Sequence, residues 1–140
     1  MTNLLLHYGA DPNISPNQYI LAPILFPILA GMIRTYKSKI KFPEKVLEAC
    51  VLTLLKSGAN VHCKSNIKGA EQFNHLQPIH YAAVFGNTGV LKTLLDYGAD
   101  VYAPGLFNRT LLKCAEMYGH TETANVIRKW ISQEEIIKKL

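Results

Sequence analysis

The sequence lacks most of the features that mark a secreted, membrane-spanning or catalytic protein. It has only three cysteines in 140 residues, Cys50, Cys63 and Cys114. That odd, scattered set makes a poor disulfide framework and fits a reducing, intracellular setting. The opening MTNLLLHYGADPN has no basic stretch ahead of its short apolar run, so it does not read as a secretory signal. No apolar run reaches the roughly 20 residues that a spanning helix needs. The longest, YILAPILFPILAGMI, covers 15 residues at 19–33 and is broken by Pro23 and Pro27. It reads as a buried helix, kinked where Pro27 removes a backbone hydrogen bond. With 49% apolar and 18% charged residues, the chain has the composition of a folded domain rather than a disordered one.

Catalytic signatures are missing too. The sequence contains no G-x-S-x-G, phosphate-binding P-loop or H-E-x-x-H. Cys50 and Cys114 fall on apolar helical faces, where a cysteine acts as a small core residue. His62, Cys63, His75 and His80 lie within 19 residues of one another. Their spacing has no tight paired knuckle, so no metal site is expected, and no cofactor either. The chain reads as a non-enzyme.

The net charge of +5 is concentrated. Between residues 34 and 45, Arg34, Lys37, Lys39, Lys41 and Lys45 face a single acid, Glu44, which gives +4 of the +5. A segment of that kind attracts an acidic protein, an anionic membrane or a nucleic acid, or serves as a solvated extension. It is too short and unpatterned for a nucleic-acid module.

What the chain has is repetition. LLHYGAD at 5–11, LLKSGAN at 54–60 and LLDYGAD at 94–100 are the same phrase. QPIHYAAVFGN at 77–87 is echoed by TLLKCAEMYGH at 110–120, an offset of 33. Pro78 suits a first helical turn, where its missing N–H has no partner to lose. Gly86 and Gly98 suit chain reversal, so 77–100 reads as two short helices with their own start and stop signals. One such hairpin cannot bury both faces and needs neighbours built alike. Asp11 and Asp100, after Gly-Ala, read as turn residues.

The period of 33 and the opening Gln77-Pro78-Ile79-His80-Tyr81-Ala82, close to T-P-L-H-x-A, resemble the ankyrin-repeat family. The resemblance implies an all-α ankyrin-repeat solenoid of helix–turn–helix units with projecting β-hairpin-like turns. It implies a half-unit at 1–13, a unit at 17–61 with a basic insertion at about 32–45, a unit at 72–103, and a unit with a C-terminal helical cap at 104–140. In the second unit both helices are expected to be long, with a protruding turn near 39–42 and Pro43 in the first turn of a helix at about 44–57. Seven further residues between the second and third units, including 65–70, read as a mobile loop. At the C-terminus, the Glu134–Lys138 and Glu135–Lys139 pairs have the favoured helical order. By resemblance, His80 braces the turn through hydrogen bonds.

The resemblance also assigns contact positions. They are the turn tips, Phe73, Asn74 and Leu76 with Leu106, Phe107 and Arg109, and the residues before the internal glycines, Val84 and Phe85 with Met117 and Tyr118. These are mostly apolar or aromatic with one arginine, the composition of interface hot spots. The function expected is an intracellular protein-protein interaction module, cytoplasmic or nuclear, or inside a host cell if its source is a pathogen. Phe85, Phe107, Met117 and Tyr118 would supply most of the energy. The alternatives are a targeting module that holds anionic membrane or nucleic acid through 34–45, or the recognition domain of a larger multidomain protein or enzyme.

Overall fold

In a computed structural model, residues 43–65 and 75–140 are described. The half-unit at 1–13, the first helix of the second unit with its basic residues Arg34, Lys37, Lys39 and Lys41, and Phe73 and Asn74 lie outside them. Five α-helices follow one another: α1 Glu44–Lys56, α2 Pro78–Phe85, α3 Thr88–Asp96, α4 Leu111–Met117 and α5 Thr121–Lys138. The described residues contain no strand.

Glycines stop the first four helices. Gly58, Gly86, Gly98 and Gly119 have φ of 96°, 67°, 90° and 74°, the left-handed region that a side chain disfavours. In that conformation the glycine N–H and the next N–H both turn back onto free carbonyls at the helix end. Gly98 donates to Leu95 and Ala99 to Leu94, each at 3.0 Å, and the same pair of bonds recurs at Gly58, Gly86 and Gly119. The repeated Gly-Ala-Asp/Asn phrase therefore has three separate jobs. Glycine ends the helix, and the small Ala59 and Ala99 are buried. Asn60 and Asp100 then accept from the backbone N–H of His62 and Tyr102 at 2.9 and 2.8 Å, which starts the next turn.

Starts are equally local. Pro78 is the first residue of α2, as its fixed φ favours. Asn87 and Thr110 cap α3 and α4 by accepting from the N–H of Val90 and Lys113. Pro43 does not sit within the first turn of α1. It stands one residue earlier, at the extended N-cap position with ψ 132°, and Glu44 opens the helix with its acid in the first turn.

The helices stack in two layers. α2 packs against α4 in one layer, and α3 packs against α1 and α5 in the other. Within each unit the two helices also pack together, α2 on α3 and α4 on α5. Ile79, Leu91, Leu94, Leu111 and Ile127 are fully buried between the layers. Each contributes about 1.5–3 kcal/mol through burial. In α1, Leu47, Val51, Leu54 and Leu55 are buried, whereas Val46 is exposed. α1 has 13 residues against nine in α3, the longer helix expected of that unit.

Polar contacts set the register between units. The His120 ring donates through Nε2 to the Val84 carbonyl at 2.9 Å, and Thr88 and Thr123 join hydroxyls at 2.9 Å. Ser65, expected within a mobile loop, is instead buried. Its N–H donates to Leu76, its carbonyl accepts from His75, and its Oγ accepts from the Tyr81 hydroxyl at 2.7 Å. Burial and three hydrogen bonds fix it, so the inserted loop has a closed stem. At the C-terminus, Glu134 accepts from Trp130 Nε1 at 3.2 Å and the Lys138 ammonium lies 5.1 Å from the centre of the Tyr102 ring. Those contacts replace the expected Glu134–Lys138 pairing, because an indole N–H and an aromatic face lie within reach.

Two glycines separate backbone strain from crowding. A Cβ on Gly98 meets nothing within 4 Å, whereas one on Gly86 falls 2.3 Å from the His120 ring. Gly98→Ala is expected to cost about 1–2 kcal/mol of unfolding free energy, the left-handed penalty alone. Gly86→Ala should cost distinctly more, because His120 must also leave the Val84 carbonyl. Urea denaturation followed by circular dichroism compares them; equal losses would show that His120 gives way freely.

Candidate functional site

The inner edge of the solenoid is built from two turns and the two helices that follow them. The second turn, 103–110, is held by short backbone bonds, with Gly105 donating to Arg109 and Asn108 to Gly105 at 2.8 and 2.9 Å. Leu106–Asn108 is formally a single 3-10 turn. Yet Phe107 (φ 54°) and Asn108 (φ 58°) are both left-handed, which makes the tip a tight reversal instead. Asparagine tolerates this conformation, whereas phenylalanine adopts it rarely and at a cost. The Phe107 ring is 65% exposed. The strained residue is thus also the most exposed aromatic among the described residues.

Below the tip, Arg109 reaches back along α4 and contacts the Met117 sulfur through Nη1. Met117 and Tyr118 are 43% and 46% exposed. Lys113, four residues before Met117, occupies the same side of the helix and is also exposed. Glu116 is ion-paired with Arg128 of α5. The result is a continuous edge of apolar surface and cations along one turn and one helix.

The sequence-assigned contact residues divide between this edge and the core. Phe107, Arg109, Met117 and Tyr118 are exposed. Leu76, Val84 and Leu106, expected at the surface, are buried instead: only 4%, 5% and 2% of their surfaces are open, and they belong to the core. Leu76 is pinned by the Ser65 stem, and Val84 lies under unit four, where His120 holds its carbonyl. Phe85 is half-buried and stacks on the buried Tyr81, with ring centroids 6.2 Å apart. Of the basic segment only Lys45 is described, and it is exposed at the start of α1. Lys113 was missed as a contact candidate, although its spacing of four from Met117 was legible.

Between the tips lies a cleft of about 270 Å³ lined by Lys64, His75, Leu76, Gln77, Pro104, Gly105 and Asn108. That volume accommodates one or two side chains of a docked chain.

The titratable groups here serve structure. The His80 ring accepts from the Gln77 N–H through Nδ1 at 2.9 Å and donates through Nε2 to the Ala103 carbonyl at 3.0 Å. Those partners fix one neutral tautomer, with both nitrogens engaged, and give the turn brace that the resemblance implied. Among the described residues no three of the His, Cys, Asp and Glu side chains converge as a metal site would require. Burial pushes the Cys63 thiol up to about 11 and raises that of Cys114, so both are held as thiols rather than reactive thiolates. Burial also raises the Tyr81 phenol, against the opposing effect of its bond to Ser65.

Burial lowers the His80 pKa below its ordinary 6.5, opposed by the Ala103 bond and Asp100. The unfolded chain therefore takes up a proton more readily than the folded one. Stability from this group is complete above about pH 6.5 and is lost as the pH falls below it. The melting temperature should be flat from about pH 8 to 7 and drop towards pH 5. His80→Gln should be less stable at neutral pH, by about 1–3 kcal/mol of unfolding free energy, and show a shallower acid slope. An unchanged slope in that variant would assign the acid sensitivity elsewhere.

A family model described as ankyrin repeats (3 copies) matches residues 44–136. No curated protein matches the chain. Ankyrin repeats generally mediate protein–protein interaction, and such domains are typically non-enzymatic. With five described helices in two layers, glycine-stopped hairpins and a match over well over half its length, the chain belongs to the ankyrin-repeat family.

Proposed function

We propose that this chain is a non-enzymatic recognition module that docks a protein partner on the edge formed by the second turn and α4. The observation that carries the reading is the exposure of Phe107, Met117 and Tyr118 beside Arg109. Large exposed apolar side chains next to an arginine are the makings of a binding hot spot. The strain at Phe107 supports the same reading, since folding alone gives no reason to hold an aromatic ring outward in a left-handed turn. Phe85 has a mixed role, with one face on Tyr81 and the remainder open to a partner. The raised thiols and absence of paired cysteines fit an intracellular setting.

Affinity capture with the intact chain, followed by titration of the captured partner, tests the proposal. Phe107→Ala with Tyr118→Ala is expected to weaken binding at least about tenfold, in the range of hot-spot losses. The double variant should melt close to the wild-type temperature, because both residues are exposed and neither belongs to the core. Phe85→Ala should instead lower the melting temperature by removing the stacked ring from Tyr81. Full-strength capture by the double variant would refute the proposed edge.

A further inference from the structure

We infer that the partner presents an acidic segment carrying an aromatic or long aliphatic anchor; this rests on the docking edge proposed above. The charge on that edge is one-sided. Across the tips at 62–65, 75–77 and 103–110 and the helices α2 and α4, the formal cations are Lys64, Arg109 and Lys113, against one carboxylate, Glu116. Glu116 is already ion-paired with Arg128. At the base of the second turn, Asp100 holds one carboxylate oxygen on the Tyr102 N–H. Arg109, Lys113 and Lys64 have no carboxylate partner among the described residues, and all three are exposed.

The apolar and cationic groups are interleaved rather than segregated. Arg109 lies against Met117, and Lys113 stands one helical turn from Met117. Phe107 is two residues from Arg109, and the cleft with Lys64 at its rim adjoins Asn108. A ligand that buried an apolar anchor on Phe107 and Met117 would bring its flanking side chains against the two cations. A basic flank would be repelled there, a neutral one would leave the cations without counterions, and an acidic one would pair with them. Sequence-adjacent acidic and apolar residues therefore fit this edge best.

The test uses fluorescein-labelled synthetic peptides read by fluorescence anisotropy against the whole chain. One peptide carries a central phenylalanine flanked by aspartates; a second replaces aspartates by lysines; a third replaces them by serines; a fourth keeps the aspartates and replaces phenylalanine by serine. The acidic phenylalanine peptide is expected to bind at least about tenfold tighter than the others at low salt. Its advantage should shrink as salt rises, because screening shortens the reach of exposed charges.

In the variant Arg109→Glu with Lys113→Glu, the preference should invert towards the lysine peptide. That variant should fold, since both sites are exposed and Glu at position 113 would complete a capping box with Thr110. Equal binding of lysine and aspartate peptides, an unchanged preference in the charge-reversed variant, or no binding by any peptide would overturn the inference. Failure of the docking edge itself reads differently, as capture that survives loss of Phe107 and Tyr118. Capture that needs those rings but maps, by cross-linking, to a non-acidic segment would remove the inference and leave the docking edge standing.

Discussion

The neutral imidazole of His80 is the contact on which the order of the units depends. It joins the start of α2 to the following turn, with one nitrogen at each end. Without it, the Ala103 carbonyl would be buried without a partner, and the turn that ends in Phe107 would lose its anchor. The contact works only while the ring is uncharged, because both nitrogens cannot donate when one must accept. The display of the tip is thus coupled to a fully buried imidazole. Local rigidity of the scaffold and presentation of the edge are one problem.

The same logic explains the two kinds of polar contact in the molecule. Between units, short neutral hydrogen bonds such as Thr88–Thr123 and His120–Val84 fix how far one hairpin sits from the next. They add modest net energy, yet leaving any of these groups unpaired would cost more than it contributes. Along the turn 103–110 and α4, by contrast, the charged groups are exposed and weakly held, where solvent screens them. Apolar burial supplies the stability, polar latches supply the spacing, and the exposed cations stay in solvent.

Most of the scaffold was legible in the sequence because its determinants are local. Pro78 at a helix start, glycine at the helix ends and Asp100 in a turn act through their own backbone, so reading the residue reads the structure. Burial is not local in this sense. Positions 84 and 117 are equivalent in the repeat, yet Val84 is covered by the next hairpin and Met117 is exposed. The period locates a residue on its helix but not what stacks against it, which is why Leu76, Val84 and Leu106 read as surface and lie inside. Ser65 looked like loop filler for a related reason. Its importance comes from Tyr81, 16 residues away, which no short pattern reveals.

The closed stem at Ser65 separates loop length from the architecture of the solenoid. Ser65 meets His75 and Leu76 through backbone bonds, so the nine residues from 66 to 74 begin and end at a fixed pair of points. The hydrogen bonds at Ser65, His75 and Leu76 lie outside that segment, and doubling a loop costs only about 0.6 kcal/mol in closure entropy. That site is therefore a natural port for grafted sequence. A new epitope or a second recognition segment could be inserted between those two fixed points of the backbone.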